Sequence, residues 1–563
     1  MRILLYVILL SSYFTGLLAS ATELAWQQTL PEETIWSRLT FAGTLLVASE
    51  NQLVHFDSST GEVIWQRDDM HELAQFDVRD VRGAGHLVIN ERLSTRPKKS
   101  RLQLLDLGSG KSIWDSGELA GSVLGSYPVP RKNLLVAALS LQSDGETKSG
   151  VYLAAYALTD GEEIWRTRLG GKNSLPLHRS DASNMQDLSG HPRPVVTDDI
   201  FVLVAGDLLA VDLTSGEEAW RFDLNASVDN LKQTYAQPLL SDGILYAVGR
   251  SKLHAIDVAS GVEQWQVKLG SAAIPQLEMR GQLILGRLGG TFSTGRELLR
   301  KSPFGAFVVD MNSRELAWKW TKARDSITNI ELIPAQGLVM LADKKKLYAL
   351  DLDATGNGKL VYEEDLEFKR KLGAADIAAK GISTVGGLLS GRVSLGGGDD
   401  RSDPPLDIEA YGDWLIVRAQ YHVLAHNMAE RKTAWSIEFA PPGLHPLALV
   451  AMGAVTAYMV ADRASEDINS WRDVQRLDNA LAMSSSFEAA AAARYAAAEK
   501  SRNLGFFLTQ EEDGIVLVGI DLLNGVVVGQ IPMAEKSPHF MVDAIGSRVY
   551  YFRGKSELLA YDF

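Results

Sequence analysis

Short apolar runs recur along the chain, and each closes on an acidic residue. Leu53-Val-His-Phe56 leads to Asp57, Leu102-Gln-Leu-Leu105 to Asp106, Leu208-Leu-Ala-Val211 to Asp212, and Leu253-His-Ala-Ile256 to Asp257. Runs this short, aliphatic and bounded by polar turn residues predict strands rather than helices. After each Asp come three residues, a Gly, three more residues and a Trp: Asp57/Gly61/Trp65, Asp106/Gly110/Trp114, Asp212/Gly216/Trp220 and Asp257/Gly261/Trp265. Ala157/Gly161/Trp165 keeps the spacing without the acid. The phrase predicts a β-hairpin whose Asp accepts turn amides and whose Gly takes a positive φ. Two further strand patterns precede each hairpin, as in 35–42 and 45–49, so one repeat is four antiparallel strands.

Weaker copies extend the series. Asp310 leads to Trp318 with Arg314 in the Gly place, Asp351 opens a lengthened turn, Asn427 leads to Trp435 with Arg431 in the Gly place, and Asp521/Gly525/Gly529 has lost the Trp. Successive intervals are 49, 51, 55, 45, 53, 41, 76 and 94 residues. A period near 50 predicts a propeller or solenoid rather than a fold built around one active site. The chain ends on a strand that reaches Asp562, and Glu23-Leu-Ala-Trp26 is the Trp-bearing half of the same phrase. The two halves predict that the first and last strands share a sheet and close a ring, which removes free sheet edges. The expectation is an all-β fold: one large β-propeller of four-stranded blades spanning 22–563. Ten motifs are counted, and eight blades with two misread motifs is the alternative.

The two oversized intervals contain insertions. Residues 367–405 are Gly-rich and read as a loop. Residues 464–503 read as helical: Trp471, Val474, Leu477 and Leu481 share one stripe, and Ser485-Ser-Phe-Glu488 fits a capping box before an Ala-rich run. That stripe either packs back on the ring or binds a partner.

Composition narrows the setting. Arg2, the apolar run from Ile3 to Leu18 and Ala19-Ser20-Ala21 form an export leader (residues 1–21), and no later stretch is long and apolar enough to span a membrane. The expected location is therefore periplasmic or secreted. The chain has no cysteine, which excludes disulfides, thiolate metal sites and a lipid-modified leader junction. Net charge is −14, and the basic runs Arg96-Pro-Lys-Lys-Ser-Arg101 and Lys344-Lys-Lys346 are short. They read as solvated hairpin tips, with no nucleic-acid partner expected.

The phrases at 208–220 and 253–265 resemble the repeats of the PQQ-like (quinoprotein-type) β-propeller superfamily, and in particular its BamB-like, non-enzymatic branch. The likeness covers nearly the whole of 22–563. It implies that Trp26, Trp65, Trp114, Trp165, Trp220, Trp265, Trp318 and Trp435 dock between neighbouring blades. It also implies a monomeric ring that catalyses nothing and binds protein partners in the cell envelope, as a scaffold in outer-membrane protein assembly. Two departures stand out: there is no lipid-attachment cysteine, and the chain is longer than that branch usually is.

The family's enzymes hold a quinone over a stacked Trp with a vicinal disulfide and a Ca²⁺. No disulfide can form here, so PQQ is not expected and no catalytic residue is assigned. A quinoprotein dehydrogenase and a sensor holding a small molecule in the central channel are the alternatives. One cation candidate exists: Asp351-Leu-Asp-Ala-Thr-Gly-Asn357 resembles the start of a calcium loop, with Asp351, Asp353 and Asn357 as oxygen ligands. Its twelfth position is Tyr362, with Glu363 one place late.

Overall fold

Along Leu208-Leu-Ala-Val211, Leu208 and Ala210 turn to one side and Leu209 and Val211 to the other, and both sides are buried. A strand covered on both faces reads as a continuous apolar run, which is why these segments lack the alternation of a half-exposed sheet. In the computed structural model each such strand is the third of a four-stranded antiparallel meander. The first meander runs Trp36–Leu39, Leu45–Ala48, Leu53–Phe56 and Val63–Arg67. The structure describes residues 22–563 except 82–83, 144–146, 171–193, 205–206, 225–235, 250, 271, 294–297, 325–326, 367, 369–402, 420, 440–503, 512–513, 536–537 and 544–545. The expected leader, most of the Gly-rich insertion, and the expected helical insertion with Trp471, Val474, Leu477 and Leu481 lie outside the described residues.

There are ten sheets, so the motif count and not the eight-blade alternative gives the blade number. Blades are numbered 1–10 from the meander above. Blade 9 has three described strands, Leu504–Glu511, Gly514–Asp521 and Val526–Met533, and each of the others has four. Blade 10 takes three strands from His539–Asp562 and its outermost strand, Glu23–Thr29, from the start of the chain. The register there runs from Glu23↔Asp562 to Thr29↔Glu557. The predicted closure is therefore the observed one.

The core is divided among the joints. Ten apolar clusters each span two adjacent blades, and together they run once around the ring. Burial between blades, not within them, holds the ring together. A Leu→Ala change in any cluster therefore weakens a joint by roughly 2–5 kcal/mol.

Candidate functional site: the blade joints and the loop-bearing face

At each regular joint the Asp, Gly and Trp of the repeat meet across two blades. Trp65 of blade 1 donates its indole N–H to the Leu107 carbonyl of blade 2 at 2.7 Å. Trp26, Trp114, Trp165, Trp220 and Trp318 donate to Ser58, Leu158, Leu213, Val258 and Leu352, in every case the residue after the Asp position of the next blade. The ring lies flat on the Gly of that next turn. A Cβ added at Gly110 (φ +65°) would stand 2.5 Å from Trp65 Cδ2. The Gly thus serves twice, as the left-handed residue of the turn and as the bare floor beneath its neighbour's indole.

The Asp holds the turn in shape. Asp57 Oδ1 accepts from the amides of Ser59 and Thr60 and from the Ser59 hydroxyl, and Asp212 and Asp257 do the same with Ser215 and Ser260. These bonds hold all three carboxyls below the usual range. Asp351 has the same duty: its Oδ1 accepts the Asp353 amide at 3.1 Å, and its Oδ2 faces Lys359 Nζ at 3.2 Å. Asp353 and Asn357 are exposed, and among the described residues no group of three His, Cys, Asp or Glu side chains converges as a metal site.

Four joints depart from the rule. At the joint of blades 8 and 9 Trp435 rests on Gly525 as the others rest on their glycines, but its buried indole N–H finds no acceptor among the described residues. Trp265 is half-buried between blades 5 and 6, where Arg314 (φ +60°) stands in the Gly place. At the joint of blades 7 and 8 the Trp place is Tyr362, paired with Ala349 as Trp265 is with Ala255. Its hydroxyl meets Nε2 of the fully buried His426 at 3.0 Å, and Arg431, in the Gly place, lies over its ring at 5.3 Å. His426 Nδ1 is bonded to Glu364, which also accepts the Thr433 amide and hydroxyl, each at 2.7 Å. Burial works to raise the Glu364 carboxyl, but the bonds from His426 and Thr433 outweigh it and leave the group lowered. At the joint of blades 9 and 10 the Trp place is Gly529, and the last residue, Phe563, packs against Gly519 and Gly529 and edge-on to Phe506 at 4.8 Å.

Toward the axis, side chains of one blade seal the open inner edge of the next. Arg38 donates to the Val78 carbonyl and pairs with Asp80 at 2.6 Å, while Asp80 accepts the Phe41 amide. Gln276 grips both the N–H and C=O of Ile330, and Asn329 does the same for Ile408. Blade 8 adds Arg418 between Asp407 and Glu409, a buried ion-paired trio. None of these groups was signalled by the repeat: Arg38, Gln276 and Asn329 find their partners on a different blade, and the Arg418 trio sits on the first two strands of blade 8, outside the repeated Asp-Gly-Trp phrase.

The two faces of the ring differ. In a four-strand meander, first-to-second and third-to-fourth turns leave one face, and second-to-third turns and blade-to-blade connections leave the other. On the first face the longest connection between described strands is 352–359. On the second lie the connections 171–194, 223–238 and 366–406 and the long hairpins of blade 2 (His86–Thr95 with Lys98–Asp106) and blade 6 (Leu283–Ser293 with Leu298–Asp310). The connection 366–406 leaves from a closed base. Phe368 O accepts the Asp403 amide at 3.1 Å, the Phe368 ring stacks on His422 at 4.9 Å, and Asp403 bonds His422 Nδ1 and the Tyr421 amide, both at 2.8 Å.

Histidines set one expected pH response. Burial pushes His55 and His539 down to about 4. A base that titrates lower when folded leaves the unfolded chain the better proton acceptor below its ordinary pKa. Stability is therefore full above about pH 6.5 and falls as pH drops toward 4, before the turn aspartates begin to titrate. At pH 5.5 each histidine is worth about 1.4 kcal/mol of that loss. Thermal melts of His55→Gln/His539→Gln should be flatter than wild type between pH 7 and 5. An unchanged pH slope in that variant would contradict the assignment.

Ten blades, seven of whose joints rest an indole on a turn glycine, with no residue constellation that marks a reaction centre among those described, define a β-propeller built from PQQ-like repeats. The family model described as outer membrane protein assembly factor BamB matches residues 5–122 and 148–296. The repeats in those stretches are similar to that BamB-like family, and the later blades repeat the same hairpin. Among solved structures, BamB from Moraxella catarrhalis is 14% identical, with 74% of this chain and 100% of that one aligned at a TM-score of 0.35. The computationally designed Ika8 protein is 11% identical over 71% of this chain and 97% of that one, and the C-terminal WD40 domain of Sif2 is 10% identical over 71% and 95%, both at TM-scores of 0.35. Likenesses at this level add nothing to the ring described above. No curated protein matches the chain.

Proposed function

We propose that this protein is a non-catalytic scaffold of the bacterial cell envelope that binds protein partners in outer-membrane protein assembly. The BamB-like match carries the reading. The asymmetry of the ring supports it: among the connections that join described strands of known order, one face has turns of eight residues or fewer, and the other carries the long connections 171–194, 223–238 and 366–406, where binding residues tend to sit on a rigid frame. The indoles that a quinone would have to borrow are engaged elsewhere, since Trp65, Trp114, Trp165 and Trp220 are buried in blade joints and bonded to the next blade. The protein works in the periplasm after leader removal and needs no cofactor.

The test is affinity capture of the exported protein from envelope extracts, with mass spectrometry and an absorbance spectrum of the purified chain. Recovery of outer-membrane assembly components, with no copurifying chromophore, is the expected result. A bound quinone, or capture that returns no assembly component, would overturn the reading.

A further inference from the structure

The hairpin of blade 2 outgrows its neighbour. In blade 1 the corresponding pairing ends at Ala48↔Leu53, whose equivalent here is Asn90↔Leu102. Four more pairs follow: Glu91↔Arg101, Arg92↔Ser100, Ser94↔Lys99 and Thr95↔Lys98. At the rise of a strand they carry the tip roughly 13 Å further out. Leu119 pairs with Ser100 at the base, so the free part is Arg92–Lys99.

That tip contains no acidic residue in a chain of net charge −14. Cations at the base are neutralised, Arg101 by Glu91 and Lys99 by Glu118, both at 2.6 Å. Arg92, Arg96 and Lys98 are exposed and form no ion pair among the described residues. Leu93, beside Arg92, is 40% exposed and offers an apolar side chain among the cations.

We propose that the blade 2 tip seats the loop-bearing face on an anionic phospholipid bilayer. This goes beyond the scaffold reading and does not rest on it. The tip of a two-stranded ribbon is far too small for a stable protein interface, which takes about 800 Å² from each partner. A bilayer asks for less. Its phosphates form a continuous sheet that rewards each nearby Arg or Lys, and its interface accepts a leucine.

The experiment is sedimentation of the leaderless chain with vesicles of phosphatidylglycerol and phosphatidylethanolamine, against vesicles of phosphatidylcholine alone. Binding to the anionic vesicles should exceed binding to the neutral ones by about tenfold or more at low salt and fade near about 0.5 M salt. Arg92→Glu/Arg96→Glu/Lys98→Glu should lose most of it with an unchanged melting temperature, Leu93→Ser should lose part, and Lys at both Arg positions should retain it. Equal binding to both vesicle types overturns the proposal, as does full binding by the charge-reversed variant. So does a wild-type chain that ignores vesicles and uses the same residues only to hold an acidic protein.

Discussion

Gly110→Ala is expected to cost about 3 kcal/mol, against about 1 kcal/mol for Gly117→Ala seven residues on. The two glycines have nearly the same backbone, φ +65° and +66°, so both replacements bear the penalty of a left-handed alanine. They differ in what the new methyl meets. At Gly117 nothing lies within 4 Å, whereas at Gly110 the methyl would stand 2.5 Å from Trp65 Cδ2 and 2.8 Å from Cε3. Trp65 cannot retreat without breaking its 2.7 Å bond to the Leu107 carbonyl and disturbing the cluster it shares with Leu46, Leu53 and Leu105. Forcing volume into such a joint typically costs 1–3 kcal/mol beyond the backbone term. Denaturant unfolding of the two variants would show the difference, and a double-mutant cycle with Trp65→Ala would assign it. Once the indole is gone, Gly110→Ala should cost no more than Gly117→Ala. Equal losses in the two single variants would mean that this glycine is a turn residue only, and that the indole does not rest on it.

The same joint explains how much of the fold could be read from the chain. Asp, Gly and Trp lie within nine residues, so their spacing is local and visible, although the Gly supports a Trp from about fifty residues earlier. The half-motifs at Trp26 and Asp562 revealed the closure because each is a fragment of that local phrase. The joint of blades 7 and 8 was hidden by a turn three residues longer, which put Tyr362 eleven places after Asp351 instead of eight. The spacing that survives is Gly358 to Tyr362, four places, the same as Gly261 to Trp265, and counting from the Gly would have found it. His426 and Glu364 offered no such signal. They stand 62 residues apart, and each is an ordinary strand residue until two blades are brought together. The inner-edge bridges of Asn329 and Gln276 are illegible for the same reason. Which face carries the long connections was not read from the chain, because it follows from the direction of the strands and not from their composition.

Phe563→Ala should weaken the protein by about 2 kcal/mol. Gly519 and Gly529 face each other across blade 9 in the register that elsewhere pairs Ala with Trp, so this joint has a vacancy where the repeat places an indole. Phe563 of blade 10 fills it from the other side. Added Cβ atoms at Gly519 and Gly529 would come within 2.5 and 2.8 Å of its ring, and its amide is anchored on the Ser547 carbonyl at 2.9 Å. A buried phenylalanine is worth 3–5 kcal/mol against alanine, and half-burial here brings the figure to the lower value. The loss should be local. Backbone amides of Val526–Met533 and Glu557–Asp562 should exchange faster, while those of blades 4 and 5 keep their protection. Phe563→Leu, which still fills the space, should recover most of the stability. If removal of the ring leaves both stability and exchange as they were, the joint of blades 9 and 10 is held by the cluster of Leu517, Ile531 and Tyr551 alone, and the N-terminal strand closes a ring that was already stable.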